Sequence, residues 1–97
     1  MSKYKDAESI LQEVRYCKVC GFEEPVLTRH HVFEGSANRR QSAKYGLWVW
    51  VCPDCHKDIH ERPEAHKKLK QDAQEIAMKT YGWSVDDFRR IFGKNYL

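Results

Sequence analysis

Ninety-seven residues suffice for one domain with one core and leave no room for a second. Hydrophobic residues make up 41% of the chain, and Leu, Ile, Val and Phe together account for only 20 positions, so the core is thin and calls for a staple, either disulfides or a metal. The net charge of +3, from 17 basic and 14 acidic residues, admits a polyanionic partner without requiring one, and no apolar run approaches the roughly 18 residues that cross a bilayer.

The start, Met1 to Asp6, lacks the apolar segment of a secretory signal, so an intracellular, cytoplasmic and reducing setting is expected. Residues 6–15 read as a short amphipathic helix, with Ile10, Leu11 and Val14 on one face. It runs into a tight turn at Cys17-Lys18-Val19-Cys20-Gly21. Residues 25–33 read as a strand opened by a proline. Residues 34–46 are polar and read as an irregular loop, with at most one helical turn over 41–45 before Gly46.

Leu47-Trp48-Val49-Trp50-Val51 is the clearest strand, with Leu47, Val49 and Val51 on one face and both tryptophans on the other. Pro53 suits the first turn of a helix that carries His56 and His60 and stops near Pro63. Residues 64–81 form a charged helix with a stripe of Leu69, Ala73, Ile76, Ala77 and Thr80, ended by Gly82. Ser84 and Asp87 make a capping box for a last helix that buries Val85, Phe88 and Phe92. Phe22 and Phe33 are assigned to the core as well. The expected architecture is a single α+β domain over 1–97: an N-terminal helix at 6–15, a central unit at 17–60 and a helical extension at 64–97.

Four cysteines fall in two Cys-x-x-Cys pairs, Cys17/Cys20 and Cys52/Cys55. Two such knuckles from distant segments complete one tetrahedral zinc site, and an ion that binds only the folded chain adds folding free energy to a small core. A disulfide framework needs an oxidising compartment, and a redox Cys-x-x-Cys normally occurs singly. A Cys2His2 finger built on His56 and His60 fails on spacing, since 35 residues separate Cys20 from His56 where such fingers have about 12. The zinc expected here is structural.

His56 and His60 are four apart, so on a helix they share a face and can grip one ion; a solvated helix surface is the alternative. His30 and His31 are neighbours on a strand and point to opposite faces. Different tasks suit them, one as a metal ligand and the other, neutral, accepting a proton from water.

The joint pattern, Cys-x-x-Cys, His-His, then Cys-x-x-Cys-His-x-x-x-His, resembles the HNH endonucleases with their ββα-metal motif. The likeness runs from Cys17 to about His60. Within it, His30 to Gly35, Ser36 to Arg40 and Tyr45 to Val49 look like small phage-encoded HNH-type proteins, as does the ending Phe88 to Leu97. There is a looser likeness to phage recombination-enhancement nucleases. The resemblance implies a zinc-stapled two-stranded hairpin packed on helices and hydrolysis of DNA phosphodiester bonds, in a bacterial or phage-infected cell. It makes His30, His56 and His60 ligands of a catalytic divalent ion (Mg2+, Mn2+, Ni2+ or Zn2+) and His31 the general base. The family's second-strand asparagine, nine residues before the first helix histidine, is Leu47 here. Asn38 or Gln41 then stand as replacements to support the loop bearing the base.

Arg29, Arg39, Arg40 and Lys44 cluster around the proposed site and suit phosphate contacts; a solvated loop is the plainer reading. Alternation with Val49 and Val51 favours packing over base stacking for Trp48 and Trp50. Residues 64–97 hold the only spare apolar surface for a dimer, and packing on the hairpin consumes it, so a monomer is expected. The alternative to an enzyme is a non-catalytic, zinc-stapled DNA-binding or recombination-accessory module. A third reading is a phage modulator of a host complex in which the nuclease fold is a relic.

Overall fold

The computed structural model describes residues 7–23 and 26–97. A short antiparallel pair is its centre: β1 (Thr28–His31) against β2 (Trp48–Val51), with Arg29 opposite Trp50, His30 opposite Val49 and His31 opposite Trp48. Helix α1 (Ser36–Tyr45) links the strands, and α2 (Pro53–Glu61) follows β2 directly. A 3-10 turn (Pro63–His66) then leads into α3 (Lys67–Tyr81) and α4 (Val85–Phe92).

Pleating gives the pair two unlike faces. Leu47, Val49 and Val51 are fully buried, as the alternation requires. Trp48 and Trp50 share the other face, their rings edge to face at 5.2 Å, with the Arg29 guanidinium 4.5 Å above Trp48 and that of Arg15 4.5 Å above Trp50.

The helix expected at 6–15 is absent from residues 7–15, and Asp6 lies outside the described residues. This segment is instead an irregular strap with bends at residues 10, 11, 13 and 14. Ala7 N–H donates to the Ala43 carbonyl at 2.8 Å and Ile10 N–H to that of Gly46 at 3.0 Å. The Ser9 hydroxyl donates to the Trp48 carbonyl at 2.6 Å, and the Gln12 side-chain oxygen accepts from Trp50 N–H at 3.0 Å. A ten-residue helix is marginal alone, whereas the open edge of β2 offers unpaired backbone groups that the strap satisfies. Gly46 is obligatory at this crossing: its φ is +71°, and a Cβ there would lie 2.2 Å from the Glu8 carbonyl oxygen.

The polar stretch expected as a loop is the ten-residue α1, entered through Gly35 and closed by left-handed Gly46. Its Ala, Arg, Gln and Lys content favours helix, but an apolar stripe is almost missing, so periodicity is silent. It seats Ser42 and Ala43 in the core.

Below the strands, Phe33 packs against Phe88, Phe92 and Tyr96, with ring centroids 5.2, 4.7 and 5.1 Å away. The Ser84/Asp87 capping box and left-handed Gly93 bound α4 as expected. Buried Gln74 on α3 donates to the Asn95 side-chain oxygen and accepts from Tyr96 N–H, both at 2.8 Å, tying down the last residues.

Several core assignments are corrected. Phe22 is 59% exposed, on the outer side of the first knuckle, and Val85, in the first turn of α4, is 36% exposed. Of the α3 stripe, Ala73 and Ala77 are buried and Leu69 partly so, while Ile76 and Thr80 face outward. Spare apolar surface is thus not confined to 64–97, since Val14, Val19, Phe22 and Val26 expose more of it near the first knuckle. No helix among the described residues is long and apolar enough to cross a membrane.

Candidate metal centres

The first knuckle is a turn in which Gly21 N–H donates to the Cys17 carbonyl at 2.7 Å and Cys17 N–H to that of Phe22 at 2.8 Å. The second is the start of α2, with Cys52 as N-cap and Cys55 in the first turn. The four sulfur atoms lie within 4.8 Å of one another, with Cys20 and Cys52 3.9 Å apart. A tetrahedron of Zn–S bonds of about 2.3 Å has edges of about 3.8 Å.

Burial works against a Cys17 thiolate, but the backbone amides of Cys20, Cys52 and Val19 outweigh it and hold its pKa down to about 6. Burial, then the sulfurs of Cys52, Cys17 and Cys20, push the Cys55 thiol strongly upward. One thiolate therefore forms easily and opposes the next, a conflict that a divalent cation resolves. Donor type, number and spacing suit a structural zinc.

The second group is built across elements. β1 contributes His30, which is 2% exposed, and α2 contributes His56 and His60 one turn apart. Ring centroids are 5.2 Å (His30 to His56), 5.6 Å (His30 to His60) and 4.9 Å (His56 to His60), and one nitrogen from each lies within 4.8 Å of the others. Burial, reinforced by His56, His60, His31 and Lys70, drives the His30 pKa down to about 3. Burial, then His60, Arg39 and His31, lower that of His56. Unprotonated imidazole is the form that binds metal, so this donor set fits a divalent ion with nitrogen preference.

These three histidines line a cavity of about 310 Å³ with Arg29, His31, Glu34 and Arg39. His31 lies on the opposite strand face from His30 yet borders the same space from the end of β1. Of the four cations assigned to phosphate contacts, Arg29 and Arg39 reach the cavity; Arg40 and Lys44 do not line it. Lys44 sits 5.2 Å from the Tyr45 ring centroid.

Four residues near the site escaped the sequence reading. Glu34 lines the cavity. Ser42 is buried and binds both backbone groups of Phe33 at 3.3 Å, just beyond His31. No comparable contact is made by Asn38 or Gln41 among the hydrogen bonds of the described residues, and Leu47 is fully buried core. The Thr28 hydroxyl lies 2.9 Å from His56 Nδ1. Asp58, between the two α2 histidines, holds Arg62 through two bonds of 2.7 and 2.9 Å and His66 through one of 2.7 Å, and Arg62 and His66 pull its pKa down to about 2. The Asp58–Arg62 pair has i, i+4 spacing and could have been read on a helix; the other three belong to no recognisable spacing, and only the fold links them to the site.

Fold and donors define the class: a small α+β protein with a two-stranded antiparallel hairpin, four α-helices among the described residues, and a four-cysteine cluster suited to structural zinc. No protein-family model, curated protein or solved structure matches the chain.

Proposed function

We propose that this protein is an HNH-type, metal-dependent DNA endonuclease, with His30, His56 and His60 as ligands of a divalent ion and His31 as general base. One observation carries the reading: three imidazole nitrogens converge within 4.8 Å, and a fourth histidine and two arginines border the same cavity.

When bound, the ion supplies Lewis-acid stabilisation of charge on the scissile phosphate and the departing 3′ oxygen. His31, unprotonated, takes the proton from the attacking water, a contribution of about 10²- to 10⁴-fold. Arg39 and Arg29 hold phosphate oxygens and fix the backbone of the substrate. Ser42 anchors the turn after β1 through Phe33 and so keeps His31 in place. The buried Leu47 favours the second reading, a DNA-binding or recombination-accessory module without cleavage, because an apolar core residue stands where the HNH resemblance puts an asparagine.

The test is conversion of supercoiled plasmid to nicked circles with Mg2+, Mn2+, Ni2+ or Zn2+ supplied in turn. Wild type should nick with at least one ion. His31→Ala should lose at least about 100-fold in rate while keeping its zinc, its far-UV signal and its DNA binding. No cleavage by wild type with any ion, alongside intact DNA binding, favours the accessory module. Activity of His31→Ala within about tenfold of wild type removes His31 from the role of base.

A further inference from the structure

We infer that Thr28 is a positioning residue for the metal-binding imidazole of His56, setting which ring nitrogen faces His30 and His60. The inference rests on the proposed three-histidine site. Thr28 and His30 are two residues apart on β1 and therefore project from the same face, the one against which α2 lays His56. The Thr28 Oγ1 atom is 2.9 Å from His56 Nδ1 and 3.4 Å from the carbonyl oxygen of Val51, its cross-strand partner.

A hydroxyl has one proton to donate. We assign that proton to the Val51 carbonyl, which leaves Oγ1 as the acceptor and makes its partner at Nδ1 an N–H. A neutral imidazole with its proton on Nδ1 presents a lone pair at Nε2, the nitrogen left for a metal. The relay thus runs from the β2 backbone through Thr28 to the ring, the kind of outer contact that orients a ligating histidine and raises its basicity. Threonine suits the task because branching at Cβ stiffens its χ1 and holds the hydroxyl in place. Valine keeps the shape and removes the acceptor.

Protein with one zinc in its cysteine site is titrated with Ni2+ and followed by calorimetry, for wild type, Thr28→Val, Thr28→Ser and His60→Ala. Thr28 is exposed and valine is a strong strand former, so Thr28→Val should fold, with unchanged zinc content and far-UV signal as the check. Wild type should take up one further ion, and His60→Ala should lose it. Thr28→Val should bind about 10- to 100-fold more weakly, and Thr28→Ser, which restores the hydroxyl, should return close to wild type. Thr28→Val binding as tightly as wild type overturns the positioning role and leaves the three-histidine site standing. Thr28→Ser as weak as Thr28→Val also overturns it, since loss of packing then accounts for the defect. Failure of wild type to take up a second ion overturns the site itself, and the role of Thr28 with it.

Discussion

Two buried polar side chains concentrate the site's chemistry at the residue scale. The Ser42 hydroxyl donates to the Phe33 carbonyl and accepts from Phe33 N–H, with no exposure to water. Ser42→Ala leaves both of those backbone groups without a partner inside the core and should cost about 1–3 kcal/mol, read as a lower urea midpoint; an unmoved midpoint would dismiss the anchor. His30 carries a pH signature. Its ordinary value is 6.5 and the folded value about 3, so between these limits the unfolded chain binds a proton that the folded chain refuses. The stability tied to its neutral ring is therefore complete above pH 6.5 and is lost as pH falls toward 3, by at most about 1.4 kcal/mol per pH unit. Denaturation of wild type and His30→Gln between about pH 4.5 and 6, without metal at the histidine site, should show the shallower slope in the variant. Equal slopes would mean that His30 does not govern acid stability.

At the scale of elements, helix α2 is held at its start by Cys52 and Cys55 of the four-cysteine cluster and near its end by the Asp58 contacts to Arg62 and His66. Cys17→Ser or Cys55→Ser should therefore do more than release one tightly held zinc. Both should loosen α2 and collapse the far-UV signal, whereas a stable, metal-free fold with readily alkylated thiols would sink the staple. Helix α1 separates its two arginines by about 100° of helical rotation, and only Arg39 lines the cavity. Arg39→Ala should flatten the salt dependence of DNA binding by roughly 0.9 log units for each phosphate that is no longer neutralised, and Arg40→Ala by less. Equal effects of the two replacements would return both to the role of general surface charge.

For the whole molecule, the consequence of size is stoichiometric. On the proposed endonuclease reading, one chain carries one base and one three-histidine group, so one encounter would attack one strand, and cutting both would require a second encounter or a two-fold pair. Supercoiled plasmid should pass through nicked circles well before linear product appears. Linear product without a nicked precursor, at a rate rising with the square of protein concentration, would indicate an obligate dimer. The exposed Val14, Val19, Phe22 and Val26 would then be the first surface to mutate.

The features legible without a fold are those whose cause is local in the chain. Two Cys-x-x-Cys knuckles, the alternation of Leu47 to Val51, the Pro53 helix start, and the Ser84/Asp87 cap with its Gly93 stop each depend on spacings of a few residues, and all appear as read. The i, i+4 pairing of His56 and His60 is equally local, and the register of β1 on β2 carried His30 to it. What only the tertiary structure decided is set by competition between distant groups. Residues 7–15 abandon a marginal helix because the edge of β2 offers their backbone and side chains better partners. Helix α1 forms with almost no apolar stripe, held at Ser42 and Ala43 by the core beneath it. The contacts from Thr28 to His56 and from Ser42 to Phe33 span 28 and 9 residues. Such pairs leave no periodic trace in the chain, because their geometry exists only once the strands have paired and the helices have packed against them.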